Sequence, residues 1–465
     1  MTRPRRLLAV GFLVALAFPL GFCGSHHDTG TVQIELWTLA LRPHFDDYVA
    51  GVIEGFENKH PGVQVVWVDV PFSAVERKFI AASAADRAPD VINLSDLMFA
   101  RFAGAGAFLD LRDRLPGDPG DRYHAGALAV GDLDSGLFAL PWYLTTQARI
   151  VNEAVLTDLG LTPESLGQTW PALRDQAQEI FENSGGMLFT QPLGQDSQLP
   201  VMMLADGVIP FSTDESGALR ASFTRREVIE WVRAWVSFYR SGAMPRQAAT
   251  NGFEHLIEVY QEGRVGVLNT GSNFLARVRG ASPSIYDSTS VSPPIVGQLG
   301  RAHVAVMPVS VCTSTEHPDL SIALAWELTS AENQLAFCRL ASILPSTPAA
   351  LEDSFFKGPT RHEIETGDEK IGQARAIVAT ALEHAVAFTP RLECWPILRR
   401  SFNEHIKRAL LGDTPLERVL ADVERDWNDI LDGEDQKRAL AGEPRASMDA
   451  IPMPPPVGSV IGMDR

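Results

Sequence analysis

Hydrophobic and polar positions along the chain switch between two periods. Gln33-Ile34-Glu35-Leu36-Trp37-Thr38 alternates, the period of a strand. Phe45, Tyr48, Val49, Val52, Ile53 and Phe56 recur at i, i+3, i+4, i+7, i+8 and i+11, one face of a helix. Pro61-Gly62 stops that helix, and the β-branched run Val63 to Val70 reads as a strand. Ser73 with Glu76 has the spacing of a capping box, opening a helix to about Ala85. Asp90-Val91-Ile92-Asn93-Leu94 is a further strand, and Ser95-Asp96 begins another helix. This β-α-β-α-β order implies a parallel, helix-covered sheet. In such sheets ligands sit outside the carboxyl ends of the strands, here Trp37-Thr38 and Ser95-Asp96.

Leu137 to Thr146 opens as an apolar strand, is bent by Pro141 and sets Trp142 beside Tyr143. Proline fixes its own φ and keeps Leu140 extended, so a crossover between two bodies is expected here; a hairpin strand with core aromatics is the competing reading. Thr169-Trp170-Pro171 starts a helix with Pro in its first turn. Val228, Trp231, Val232, Trp235 and Phe238 mark the inner face of another, over Glu227 to Ser241. After a helix over Asn251 to Glu262, Val265 to Leu268 is a short strand followed by the polar loop Asn269 to Phe274. Val304 to Val311 is strand-like. Helices are expected over Leu320 to Leu328, Glu332 to Leu340, Gly372 to His384, Trp395 to Leu411 and Pro415 to Leu431. From Gly442 a Pro-rich tail is expected to be loose.

The ends and the charge change the picture. Arg3, Arg5 and Arg6 precede an apolar run from Leu7 to Leu20, too short to span a bilayer and typical of a signal peptide. Residues 24–30 form a polar tether. The net charge of -18 on 465 residues argues against nucleic acid, whose phosphates need Lys and Arg. Cys312, Cys338 and Cys394 permit one disulfide with one thiol over, and no pair is readable. They are too scattered for a structural metal site.

Cys23 at the end of the leader resembles the lipobox cysteine of bacterial lipoproteins, with Phe22 departing from the small residue that motif wants. Lipidation of Cys23, simple cleavage and an uncleaved anchor all stay open. Four further places resemble the bacterial extracellular solute-binding proteins of the sugar-binding type, the substrate receptors of ABC importers. Gly55-Phe56-Glu57-Asn58-Lys59-His60-Pro61-Gly62-Val63-Gln64-Val65 looks like that family's first helix-to-strand joint. Gly136-Leu137-Phe138-Ala139-Leu140-Pro141-Trp142 is similar to its first crossover, and Gly263-Arg264-Val265-Gly266-Val267 to its return strand. Leu328 to Gln334, with Ile343-Leu344-Pro345 after it, resembles its final lobe exchange.

The resemblance implies an α/β, two-lobe periplasmic-binding-protein-like fold of type II. Each lobe would be a helix-covered mixed sheet, discontinuous in sequence. The boundaries it suggests are leader 1–23, tether 24–30, lobe 1 over 31–141 and 270–340, lobe 2 over 142–269 and 341–441, and tail 442–465. The ligand would be enclosed as the lobes close.

A sugar carries hydroxyls that need donors and acceptors, and flat C–H faces that suit aromatic rings. Trp142 and Tyr143 fit the aromatic role. Asp96 lies past a strand end, as either a hydroxyl acceptor or a helix cap. Trp37 is cleft floor or core. In the resembled family the region of Gln195, Asp196 and Ser197 supplies polar contacts, and Ser272 with Asn273 matches a ligand-contacting turn that often carries Trp. The resemblance also puts a ligand aromatic at Trp395, one helical turn from Arg399.

Enzyme motifs are absent: no Gly-x-Ser-x-Gly elbow, no His-Glu-x-x-His helix and no phosphate-cradling Gly-rich loop with Lys-Ser/Thr. A glycoside hydrolase needs just two carboxylates, so among 58 acidic residues that rival stays open. A polyol or glycerol-phosphate-type ligand in the same fold, held by Arg42 or Arg399, is the other. The expectation is a non-enzymatic, monomeric, exported carbohydrate receptor that uses no cofactor or metal and delivers to membrane permease subunits.

Overall fold

Strand pairing divides the chain into two bodies. The computed structural model describes residues 31–133, 136–194, 197–272, 274–341, 343–441 and 445–453. The leader with Cys23, the tether and residues 454–465 lie outside them. The strands of the two larger sheets are β1 (Val32–Leu39), β2 (Val63–Val70), β3 (Val91–Asn93), β4 (Leu140–Thr146), β5 (Ala148–Asn152), β6 (Val267–Thr270), β7 (Thr289–Ser292), β8 (Val304–Val311) and β9 (Leu344–Pro345). One sheet has the order β9-β4-β8-β3-β1-β2, the other β6-β5-β7. The helices that matter for the site are α1 (Asp46–Lys59), α2 (Val75–Ala84), α3 (Asp96–Ala103), α4 (Trp170–Ser184), α5 (Arg226–Arg240), α6 (Ala331–Ala341), α7 (Glu369–Ala381), α8 (Trp395–Leu411) and α9 (Leu416–Ala441).

The first lobe follows the hydrophobic pattern closely. β1 pairs in parallel with both β2 and β3. Tyr48, Val49, Val52 and Phe56 are the buried face of α1, each side chain stabilising the lobe by about 1.5–3 kcal/mol through removal from water. The Ser73–Glu76 capping box does not form. α2 begins one residue later than a Ser73 cap requires, Ala74 caps it without a side-chain bond, and Glu76 pairs with Arg101 at 3.3 Å instead. β8 and β9 run antiparallel to β4, making this sheet mixed.

Pro141 does not carry the chain out of the first lobe. It faces Pro308 across the ladder, and the register shifts there between Met307 and Pro308. Neither proline has an N–H to donate, so a bulge replaces regular pairing at Trp142. Ser346 closes the gap: its hydroxyl donates to Pro141 O at 2.6 Å, while Gln334 accepts from the Ser346 N–H, also at 2.6 Å. The chain then stays in the first sheet through Thr146, and Gln147 is the crossing residue.

The other expected boundaries move for the same reason, strand partnership. β7 pairs with β5, so 270–292 belongs to the second lobe. The return comes with β8, after residues 293–303. β9 pairs with β4, so Ile343-Leu344-Pro345 is no lobe exchange. The last crossing lies near 382–388, beyond α7, whose Ala374 packs with the second sheet's core and whose Val378 packs with the first.

The second lobe has a sheet of antiparallel pairs, extended by a parallel bridge from Phe189 to Val267. Its main core joins α4, α5, α8 and α9 through Trp170, Trp235, Trp395 and Trp427. The tail is not loose over its described part. Ala446 and Ile451 are buried in this core, and Ala446 O accepts from Leu219 N at 3.2 Å. Cys312, Cys338 and Cys394 are buried and unpaired, the first two in the first lobe and the third in the second.

Candidate functional site

The lobes meet where the N-terminal half of α3 lies beside α8. Ser95, not Asp96, caps α3, its hydroxyl accepting from Met98 N at 3.3 Å. That leaves the Asp96 carboxylate for another task. It is 8% exposed and reaches the second lobe, where Thr389 donates its hydroxyl to Asp96 Oδ2 at 3.1 Å. Burial raises its pKa, opposed by the Leu97 N–H, the Thr389 hydroxyl and the charge of Arg399. Next to it, Leu97 of the first lobe packs against the second lobe's core. Asp96 and Arg399, on different lobes, therefore lie close enough for the Arg399 charge to act on the carboxylate.

The three crossings are tied to one another beside this contact. Asn269 donates its side-chain amide to Gln147. Thr146 Oγ1 donates to His303 O at 2.8 Å, and Phe388 N donates to His303 Nδ1 at 3.2 Å. The backbones pair as well, Val386 N to Ala302 O at 2.9 Å and Val304 N to Val386 O at 3.1 Å. An accepting Nδ1 requires the neutral imidazole with its proton on Nε2. Burial pushes the His303 pKa down to about 4, aided by the Arg399 charge and opposed by the Val386 backbone. A narrow pocket beside the second crossing is lined by Gln147, Trp170, Gln198, Ile295, Arg301 and His303.

On the second lobe, several buried polar atoms find no hydrogen-bond partner among the described residues: Thr190 Oγ1, Asn269 Oδ1, Thr270 Oγ1 and Asn403 Oδ1. An unmet buried hydroxyl or amide costs about 1–3 kcal/mol. Thr190 follows the bridge at Phe189, and Asn269 and Thr270 end β6. These are the candidates that the sequence reading missed. Their signal was there, in polar pairs closing apolar stretches: Thr190-Gln191 and Asn269-Thr270.

The aromatic candidates go elsewhere. Trp142, 0% exposed, stacks on Phe337 with ring centroids 5.0 Å apart and planes at 17°. Tyr143 meets Trp142 edge-on at 5.2 Å and Phe337 at 5.2 Å. The bulge turns these rings toward α6, where Trp142 is buried in the first lobe's core and Tyr143 is partly buried against it. Trp37 is core too, lying with Val75 and Phe79 of α2, its indole N–H donating to Glu35 and Lys78 Nζ 4.1 Å above its ring. Trp395, 1% exposed, packs edge-on to Trp427 at 5.8 Å. Ser272 is buried in the turn after β6. Gln195, Asp196 and Asn273 lie outside the described residues. Among the described residues no group of His, Cys, Asp and Glu is arranged to hold a metal ion, and no helix is long and apolar enough to cross a membrane.

Two lobes, three crossings and a shared polar seam are the architecture of a receptor that closes on a solute. The sequence agrees: residues 42–335 match the family model for bacterial extracellular solute-binding proteins. The chain belongs to that family. This solute-binding protein is 30% identical to a proposed oligosaccharide periplasmic-binding protein of Synechococcus sp. MITs9220, covering 88% of this chain and 100% of that one, with a TM-score of 0.74. It shares its fold with the GacH receptor of Streptomyces glaucescens, solved unliganded and with acarbose, at 21% identity and a TM-score of 0.65 over 86% of this chain and 99% of that one. An uncharacterised lipoprotein from the oleD 5' region of Streptomyces antibioticus is 22% identical over 388 residues, 82% of this chain and 84% of that protein. As a member of the family, the solute-binding protein is an exported receptor that serves ABC import, and the family is one of binding proteins.

Proposed function

We propose that the chain captures a sugar or oligosaccharide between its lobes, releases it unaltered to the permease of an ABC importer, and is held at the membrane by a lipid on Cys23. The observation that carries the ligand class is the set of buried, unpartnered hydroxyl and amide groups on the second lobe, together with the buried carboxylate of Asp96 on the first. Sugars supply many hydroxyls at close spacing, each a donor and an acceptor, which suits such a wall. The relatives point the same way: the Synechococcus protein carries an oligosaccharide-binding name and the GacH receptor was solved with acarbose. Arg399 sits close enough to Asp96 for its charge to act on that carboxylate, which disfavours its use as an anion clamp for a phosphate ester. A ligand that touches both lobes binds the closed arrangement better than the open one, and that difference drives closure. The test is a thermal-shift screen against mono- and oligosaccharides, polyols and glycerol phosphates. Carbohydrates should raise the melting temperature by mass action; a response confined to glycerol phosphates would overturn the reading.

A further inference from the structure

Two residues beyond Thr389, Arg391 makes a second junction between the lobes, unlike the first. Its neighbours Phe388 and Leu392 are buried in the second lobe's core, so its backbone belongs to that body. Its guanidinium leaves it. Nη1 donates to Asp132 O at 3.2 Å and to Ala129 O at 3.4 Å, main-chain carbonyls of the first lobe's 125–133 segment. That segment is anchored in the first lobe by Ala127 and Val130. Nη2 donates to Asp449 O in the C-terminal segment, and the Arg391 N–H donates to Ala450 O at 2.8 Å. One side chain thus joins the first lobe, the last crossing and the tail.

The surroundings make those bonds matter. The segment borders a cavity of about 640 Å³. Asp96, Phe99 and Leu133 line it from the first lobe, Thr389, Arg391 and Ile451 from the second. Facing apolar side chains that do not fill the space between them contribute little cohesion. The lobes are held here by directed polar bonds, which can be made and broken as units. A guanidinium offers five N–H donors in a rigid fork, suited to several carbonyls at once; an ammonium is a compact point donor.

We infer that Arg391 is a positioning residue for lobe closure: beside the cavity that Asp96 also lines, it clasps the second lobe and its C-terminal segment to the first lobe's main chain, and so sets the balance between engaged and open arrangements through those carbonyls. This rests on the solute-receptor reading, and goes beyond it by assigning the control of closure to one side chain's bonds to main-chain carbonyls across the lobes. Because the acceptors are main-chain carbonyls, the Asp132 and Asp449 side chains are dispensable for the clasp.

Amide hydrogen exchange on the full unliganded chain tests this directly. Arg391→Ala should speed exchange about tenfold or more at Leu97–Phe99 and at the start of α8, while β8 stays as protected as in the wild type. Arg391→Lys should fall between them, and Asp132→Ala and Asp449→Ala should match the wild type. A second arm uses maltotriose as the probe in stopped-flow binding. Its dissociation should quicken five- to tenfold in Arg391→Ala with association within twofold. If maltotriose does not bind the wild type, the choice of sugar fails, and exchange still decides the clasp. Faster exchange restricted to the C-terminal segment, with α3 and α8 unchanged, would overturn the inference; so would tighter maltotriose binding by Arg391→Ala.

Discussion

Thr389 donates its hydroxyl to Asp96 across 3.1 Å, from the last crossing of the chain to the first turn of α3. The two residues are 293 positions apart, and their contact joins the lobes at the proposed sugar seam. Ligand entry would replace this bond with one from a sugar hydroxyl. Asp96→Ala should therefore weaken carbohydrate binding by about 1–3 kcal/mol, the size of a lost bond to a buried charged acceptor. Thr389→Val removes a competitor for the same oxygen and should change affinity far less. Titration calorimetry on both variants checks the order; equal losses would count against Asp96 as a ligand contact.

The buried hydroxyls separate binding from folding. Thr190→Val and Thr270→Val each replace an unpartnered oxygen by a methyl group of similar volume. Stability in urea should be unchanged or slightly higher, because an unmet buried polar group is removed. Affinity for the sugar should fall by about 0.5–1.5 kcal/mol per site, the net value of a typical hydrogen bond. Loss of stability with unchanged affinity would show that these hydroxyls serve the core.

Trp142 makes the opposite pattern. A sugar platform would lose affinity on truncation and keep its fold. Stacked on Phe337 with no exposure, Trp142→Ala should instead cost about 3–5 kcal/mol of stability, as large aromatic deletions in cores do. Below its lowered melting point the variant should bind sugar nearly as the wild type does. Chemical denaturation alongside calorimetry distinguishes the two.

His303 gives the hinge a pH dependence. Its folded pKa, about 4, lies below the unfolded value of 6.5. The unfolded chain then binds the proton first, so stability is full above pH 6.5, falls through the window between 6.5 and 4, and levels below it. With its partial exposure, the loss is about 1–2 kcal/mol. Protonation also removes the acceptor that Phe388 N uses. His303→Asn retains an acceptor and should flatten this part of the profile, measured as melting temperature against pH.

Lipidation has its own readout. Cys23→Ala should release the protein from the membrane fraction into the soluble one. Retention of the variant would mean that the leader, or another contact, is the anchor.

The first lobe was legible in the sequence because its strands and helices carry clean periods. β2 runs over Val63–Val70 and β8 over Val304–Val311, the segments that pattern alone delimits. The lobe boundaries were not. Pro141 looks like a crossing from local rules, but its neighbour across the ladder is Pro308, 167 residues later, and a bulge between them absorbs the bend. The same long-range pairing decided the aromatics. A Trp-Tyr pair has the chemistry of a sugar platform, and only the placement of α6 over the bulge makes it core. The proposed polar site was half visible. Asp96 and Arg399 were reachable by strand-end logic and resemblance. Thr190, Asn269 and Thr270 stand out once burial reveals that their oxygens have no partner among the described residues.

Equilibrium titration with a series of linear and cyclic glucans, followed by chromatography of the recovered sugar, bears most directly on the idea of a closing, non-catalytic receptor. The expected result is saturable one-to-one binding of at least one glucan and its return with unchanged length. Shortened or rearranged products, or no binding across the series, would contradict it.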